Sequence, residues 1–382
     1  MNFSFTEVQS MLRDSITKFV QDEYAFSVRE KLAKTDLGFS VDNWQTFAEL
    51  GWLSIPFAEE QGGFGGSVVD SMVLMEEFGK GLVLEPFIAT VLLFGGALNH
   101  CGNRELMNSL IPSIIDGSLQ GSVACFERQS RFDLSDVATK ASKNAGSYIL
   151  SGEKVIVYNG ASADKIIVSA RTSSDQFNDD GITLFLVDAN ASGIEKTSYR
   201  MMDGQMVANI TFDNVAIEAV ISTVGEGLTL LQKVVDETIV AVGGETMGVM
   251  EKLHSTTVEY SKTRKQFGVA IGSFQVLQHR MVDMFMACEQ TRSLLYRAAC
   301  SVTEGKDDAP QDVLALKTMI GRAGKLVGDH ALQIHGGIGM TDELDVGHYV
   351  KRLMMINSFF GDADYSQQKF SELSLSGLSC AS

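Results

Sequence analysis

Proline is scarce in this chain, four in 382 residues, and cysteine numbers only five. So few prolines leave room for long unbroken helices, because each would remove a backbone donor and kink the element. The cysteines, Cys101, Cys125, Cys288, Cys300 and Cys380, are odd in number, scattered, and form no CxxC or Cys/His cluster. That pattern excludes a disulfide framework and a thiolate metal site, and fits a reducing cytoplasm. Basic residues are also short: 31 Lys and Arg against 48 Asp and Glu give a net charge of −17 and a pI near 4.8. Nucleic acid and anionic membrane surfaces both require clustered cations, so neither is expected as a partner. No long apolar run is present either. The most apolar stretch, Leu82 to Leu98, contains Glu85, Pro86 and a Gly-Gly pair and reads as a buried helix, not a membrane span. Met1-Asn2-Phe3-Ser4-Phe5-Thr6-Glu7 lacks the basic and apolar regions of a signal peptide, so a cytoplasmic location is expected.

What the chain does have is 45% hydrophobic residues over a length that suits two or three domains. Residues 1–120 carry apolar side chains at helical spacing, as in Val8, Met11, Leu12, Ile16 and Phe19, and again around Trp44, Phe47, Leu50 and Trp52. From 121 to 224 the period changes to two. Ser147 to Val157 and Asp164 to Ala170 read as neighbouring strands with Asn159-Gly160 as the turn between them, and Gly181–Val187 and Val207–Phe212 continue the series into a small barrel or sandwich. Over 225–382 the helical period returns in long runs, Leu228 to Lys262, Gln275 to Val302 and Asp312 to Gln333, as in a bundle. Methionines such as Met281, Met284 and Met286 add apolar surface that would pack on another subunit. The class is α+β, with an N-terminal helical domain, a central β-domain and a C-terminal helical bundle.

Several motifs compete with plainer readings. Gln61-Gly62-Gly63-Phe64-Gly65-Gly66 has no strand before it and no Lys-Ser/Thr after it, so it reads as a loop and not a phosphate cradle. His330 and His335 lie five residues apart, on different helix faces, and no carboxylate or cysteine cluster completes a metal set. Arg264-Lys265-Gln266-Phe267-Gly268 reads as a helix end, with cations complementing the dipole and Gly268 supplying a left-handed residue. Phe274-Gln275 and Gln278 follow it at once. Gln333-Ile334-His335-Gly336-Gly337-Ile338-Gly339-Met340-Thr341 closes another helix.

Together with Gly51-Trp52-Leu53, Glu59 to Gly65, and Gly152-Glu153-Lys154 through Asn159-Gly160, these segments resemble the acyl-CoA dehydrogenase family along nearly the whole chain. The resemblance implies FAD as cofactor, an acyl-CoA substrate dehydrogenated between its α and β carbons, and electron-transfer flavoprotein as electron acceptor. It also implies that Arg264, Phe267, Gln275, Gln333, Gly336 and Gly337 bind the adenine and pyrophosphate end of FAD. An Arg guanidinium neutralises pyrophosphate, amides bond polar edges, and glycines let backbone approach phosphate.

The chain departs from the family where the chemistry should be. Phe360 falls at the catalytic glutamate, in Phe359-Phe360-Gly361-Asp362, and Thr238 falls where some branches place their base. The candidates left are Glu237, which one residue's rotation of about 100° points away from the Thr238 face, and Asp362. The run that contacts the flavin ring in the family becomes Phe126-Glu127-Arg128-Gln129-Ser130-Arg131-Phe132-Asp133, and its Trp-x-Thr becomes Ile156-Val157-Tyr158. Ring contacts are lost and nucleotide contacts kept. In the family those two sets come from different subunits on one FAD. The chain is therefore similar to the small subunit of heteromeric, α2β2 acyl-CoA dehydrogenases of the pimeloyl-CoA and steroid side-chain type, and Ser162 to Arg171 and Phe360 to Asp364 carry that branch's hallmarks. The expectation is a subunit that completes the FAD site of a homologous larger partner acting on a bulky or dicarboxylic acyl-CoA. A self-sufficient homotetramer with a displaced carboxylate base, and a flavin-free scaffold or acyl-CoA-binding protein, stand as alternatives.

Overall fold

The structure, a computed structural model, describes residues 5–379 apart from Ala145; Cys380 and residues 1–4, used in the reading above, lie outside it. The chain opens with helices α1 (Glu7–Glu23), α2 (Phe26–Leu32), α3 (Val41–Glu49), α4 (Val68–Gly81), α5 (Gly96–Asn99) and α6 (Arg104–Ile115). Eight strands follow: β1 (Gly121–Ala124), β2 (Lys140–Asn144), β3 (Ser147–Tyr158), β4 (Lys165–Arg171), β5 (Ile182–Asp188), β6 (Ile194–Arg200), β7 (Met206–Ala216) and β8 (Ala219–Val220). Helix α7 (Gly227–Thr263), a hairpin of β9 (Lys265–Gln266) and β10 (Val269–Ala270), and helices α8 (Gln275–Thr303), α9 (Ala309–His335), α10 (Asp345–Ser358) and α11 (Ala363–Ser379) complete it.

Side-chain caps begin several helices where the sequence supplies them. Thr6 and Gln9 form a reciprocal capping box on α1, Ser40 caps α3, and Asn103 caps α6. In α1 only Ile16 and Phe19 reach the core; Val8 and Met11 are exposed, so the apolar stripe read from the sequence is half used. The Leu82–Leu98 stretch is buried as expected but is not one α-helix. Leu82 turns left-handed at φ +53°, and residues Ile88–Gly95 form a π-helical segment running into α5.

Contacts group the described residues into two compact units, cut differently from the segments 1–120, 121–224 and 225–382. The first holds the described parts of Met1–Glu30, Val68–Val83 and Ile239–Ser382. Here α4 joins the C-terminal helices through backbone-close contacts: a Cβ on Gly248 would lie 1.9 Å from the Glu76 carbonyl oxygen, and one on Gly244 would lie 2.3 Å from that of Met72. The buried Arg352 guanidinium on α10 grips Glu245 of α7 through two bonds of 2.6 and 2.8 Å. Met284 is fully buried within this unit, correcting its assignment to an intersubunit face, whereas Phe285 and Met286 are exposed.

The second unit, Lys31–Ser67 and Leu84–Thr238, contains the sheet, ordered β6-β7-β3-β2-β4-β5-β8 with β1 parallel to β4. The expected pairing of β3 with β4 does not occur. The short polar strand β2 lies between them, antiparallel to β3 and meeting β4 only at Lys140 and Arg171. Asn159-Gly160 does turn the chain, but toward a crossover and not into a hairpin. Buried Arg171 ties the loop after β4 to the segment before β2 by donating to the carbonyls of Gln176, Asn178 and Asp180 and to those of Ser135 and Val137. The glycine-rich segment 61–66 is a loop bonded back onto residues 54–58, and a Cβ on Gly63 would lie 2.0 Å from the Phe57 carbonyl oxygen.

Candidate functional site

The Arg264–Gly268 motif does begin at a helix end, the Arg264 N–H bonding the Tyr260 carbonyl at 2.9 Å, but Gly268 is not the terminating residue. Helix α7 ends at Thr263, and Phe267 and Gly268 form a two-residue hairpin turn with φ of +52° and +84°. Both left-handed residues match the type I′ geometry that tight hairpins favour, and the same glycine would have suited a helix terminus. The turn lifts Phe267 to 92% exposure, and Arg264 and Gln275, the first residue of α8, are exposed beside it in sequence. At the end of α9, Gln333, Gly336 and Gly337 are exposed. Gly336 adopts φ +67° and ψ −145°, a region essentially restricted to glycine, and Cβ atoms on Gly336 or Gly337 would meet nothing within 4 Å. The two segments are tied together from beneath. Tyr260 stacks on buried His335 at 4.3 Å between ring centroids and donates to the His335 carbonyl at 3.4 Å.

A second turn joins α10 to α11. Phe360 is buried at φ +52° with its ring edge-on to Phe359 at 4.7 Å, and Gly361 follows at φ +124°. Asp362 sits at the N-terminus of α11, its carboxylate accepting from the Tyr365 N–H at 2.8 Å. Lys317, buried on α9, donates to the carbonyls of Ile356 and Asn357 at 2.8 and 2.9 Å, closing the end of α10. Burial pushes its ammonium down to about 7 against the opposing pull of Asp362.

In the other unit, Thr238 is buried with its hydroxyl bonded to the Val234 carbonyl at 2.7 Å. Glu237 points elsewhere, as helical rotation requires, and its carboxylate meets His100 Nε2 at 2.9 Å. Asp236, which no motif singles out, is partly buried, and burial followed by the Glu237 charge pushes its carboxyl up to about 7. In the 126–133 loop, Ser130 Oγ is spent on the backbone of Glu127, and Phe126 is buried. Glu127 accepts from buried Lys154 at 2.8 Å and from the N–H groups of Ala138 and Thr139. Although burial opposes it, this environment holds the Glu127 carboxyl down to about 2.

Family models described as the N-terminal, middle and C-terminal domains of acyl-CoA dehydrogenase match residues 6–118, 122–215 and 225–368. The chain belongs to the acyl-CoA dehydrogenase family. A probable acyl-CoA dehydrogenase, YngJ of Bacillus subtilis (strain 168), is 28% identical over 91% of this chain and 92% of its own length. Among solved structures, a variant of the Tcur3481-Tcur3483 steroid ACAD is similar at TM-score 0.89 and 26% identity, over 98% of this chain and 99% of that one. An FAD complex of PigA gives TM-score 0.90 and 26% identity, over 97% and 98%. The ChsE4-ChsE5 complex from Mycobacterium tuberculosis gives TM-score 0.88 and 25% identity, over 97% and 98%. Acyl-CoA dehydrogenases are FAD-dependent oxidoreductases acting on CH–CH bonds, and the expected three-part fold is the one found.

Measured against this family's cofactor, the two groups of expected contact residues differ. The residues expected at the nucleotide end have a chemistry that would suit FAD: an exposed guanidinium, two exposed amides, an exposed aromatic ring and glycine backbone with open space above it. The ring-end segments do not offer the family's hydroxyls. Ser130 is turned inward, and Ile156, half-exposed, is a β-branched residue held at φ +53° by a bulge in β3. Among the described residues no group of His, Cys, Asp and Glu could hold a metal, and no helix is long and apolar enough to cross a membrane.

Proposed function

We propose that this chain is a subunit of a heteromeric, α2β2 acyl-CoA dehydrogenase and completes the FAD site of a homologous larger subunit. Arg264, Phe267, Gln275, Gln333, Gly336 and Gly337 would hold the adenine and pyrophosphate end. The observation that carries this reading is the contrast between a nucleotide face left wide open, with Phe267 at 92% exposure, and Phe360 buried where the family keeps its base. Accepting the hydride from the substrate β-carbon is the chemistry FAD supplies when bound. Removing the α-proton falls to the partner's carboxylate, because phenylalanine has no proton acceptor. Arg264 neutralises phosphate charge, and the Gly336-Gly337 backbone permits its close approach. Reduced equivalents pass on to electron-transfer flavoprotein. The Tcur3481-Tcur3483 steroid ACAD and the ChsE4-ChsE5 complex, each named for two components, support a two-chain assembly, and the former supports a bulky acyl-CoA.

The self-sufficient reading is weaker because both of its candidate bases are engaged: Asp362 accepts the Tyr365 N–H, and Glu237 pairs with His100. The test is to isolate the protein with its native partners and count flavins. Fewer flavins than subunits, with dehydrogenation only when the larger chain is present, supports the proposal. A fully flavinylated chain that oxidises an acyl-CoA alone refutes it. An assembly with no flavin leaves the scaffold reading.

A further inference from the structure

The backbone that follows Gly336 and Gly337 is held by α10. The helical turn Gly336–Met340 runs into Thr341, whose hydroxyl and N–H both bond the Ile338 carbonyl. Helix α10 packs directly on this turn, since a Cβ on Gly347 would lie 3.2 Å from the Gly339 carbonyl oxygen. Asp342 is gripped twice from the same helix: its carbonyl lies 3.2 Å from His348 Nε2, and its carboxylate accepts from Lys351 Nζ at 2.9 Å. The other ring nitrogen of His348 meets a different group. Nδ1 lies 3.2 Å from Nη1 of Arg29, a buried residue of α2 that also donates to the Leu82 carbonyl at 3.4 Å. Phe26 packs edge-on to the imidazole at 4.9 Å.

These contacts fix the protonation of the ring. A guanidinium has only donors, so Nδ1 must be bare and accept, and Nε2 must then carry the hydrogen and donate to the Asp342 carbonyl. Only the neutral imidazole satisfies both, because an added Nδ1–H would point at a cation. Among the described residues, the charged groups acting on the ring are Arg29 from α2, Lys351 from α10 and Asp342 from the turn. Burial and the two cations hold the imidazole below its ordinary value, while Asp342 opposes them. We propose that His348 is a positioning residue for the nucleotide turn: in its neutral form it couples the backbone of residues 336–342 to buried Arg29, and protonation uncouples the two. The inference rests on the reading of Gly336 and Gly337 as contacts to FAD. Acid below the ordinary imidazole value of about 6.5 therefore loosens the turn and weakens its grip on the cofactor.

Nitrogen NMR of the full chain with ring-labelled histidine reads the tautomer, and His348→Gln marks the His348 signals by removing them. A bare Nδ1 and a protonated Nε2 at neutral pH are expected; the opposite tautomer or an imidazolium overturns the proposal. Hydrogen exchange of residues 336–342 in the chain alone, corrected for the intrinsic effect of pH, should quicken roughly tenfold between neutral pH and about pH 5, the scale of one lost hydrogen bond to a charged group. His348→Gln, whose amide accepts and donates without titrating, should show no such acceleration. In the complex with the larger subunit, FAD affinity should fall with acid by a similar factor in the parent, stay within about threefold in the glutamine variant, and be low at every pH in His348→Leu. Parental affinity indifferent to acid, an equal loss in the glutamine variant, or undiminished affinity in the leucine variant overturns the proposal, even where the leucine variant melts lower. If exchange responds as expected but Arg264→Ala leaves FAD binding unchanged, the nucleotide reading falls and the positioning role with it, while the coupling of the turn to Arg29 stands.

Discussion

Replacing Gly337 by alanine separates the nucleotide site from the fold that carries it. The added Cβ meets no atom within 4 Å, and Gly337, unlike Gly336, is not in the left-handed region. A glycine-to-alanine change at a compatible conformation stabilises by about 0.4–1 kcal/mol, because the unfolded chain loses freedom. The isolated chain should therefore melt at the same temperature or slightly higher. In the complex the same methyl occupies the space a phosphate needs to reach backbone N–H groups. Losing one charge-assisted hydrogen bond costs about 1.5–3 kcal/mol, which is roughly 10- to 100-fold in FAD affinity. Flavin fluorescence titration of the complex reconstituted with its larger subunit reads the affinity, and thermal melting of the chain alone reads the fold. Gly336→Ala is the contrasting case, since its φ of +67° adds strain of about 1–3 kcal/mol to the chain itself. A Gly337→Ala complex with parental FAD affinity would refute the assignment of this turn to the cofactor.

Asp362→Ala should cost about 1 kcal/mol through loss of the α11 cap and leave turnover per flavin unchanged; a thousandfold loss of turnover would make it the base. Glu237→Gln should cost less than about 1 kcal/mol, since both it and His100 are partly solvated, with turnover again the arbiter. Lys317, ordinarily protonated to about 10.5, is pushed down to about 7 in the fold, so between those values the unfolded chain binds the extra proton and stability rises with pH. Denaturant titrations from pH 7 to 9.5 should show that rise in the parent and a flatter profile in Lys317→Met; parallel profiles would contradict the assignment. Gly248→Ala, whose Cβ would lie 1.9 Å from the Glu76 carbonyl oxygen, should destabilise by about 1–3 kcal/mol or more, seen as a lowered denaturation midpoint.

Long-range periodicity was readable because it reflects burial directly. The runs assigned from Leu228, Gln275 and Asp312 correspond to α7, α8 and α9 within a few residues. What pairing adds was not readable. Strand β2 is Lys-Ala-Ser-Lys-Asn with one buried residue, so neither alternation nor β-branched content marks it, yet it separates β3 from β4. The Phe267-Gly268 hairpin was mistaken for a helix end because a glycine able to turn left-handed and flanking cations serve both structures. Met284 and Phe285 look alike as apolar residues of one helix, and only packing tells the buried one from the exposed one.

The glycines discriminate between the heteromeric and scaffold readings more sharply than the missing base does. Gly63, Gly244 and Gly248 are each required inside the chain, where a Cβ would strike a carbonyl oxygen at 2.0, 2.3 and 1.9 Å. Gly337 meets no such obstacle, and Gly336 adopts a backbone conformation costly to any other residue with open space above it. Beside that turn in sequence, Ile338 and Met340 are exposed, as Phe267 and Val276 are around the hairpin. Burying one such side chain is worth about 1.5–3 kcal/mol, a gain the isolated chain forgoes at each of these positions. A scaffold freed from flavin would still need Gly336, which caps α9 with its N–H bonded to the Leu332 carbonyl, but would have no such use for Gly337 in open space. A subunit that closes over a partner's nucleotide needs that combination: backbone bare enough for phosphate, a cation to neutralise it, and apolar side chains left for the partner to cover.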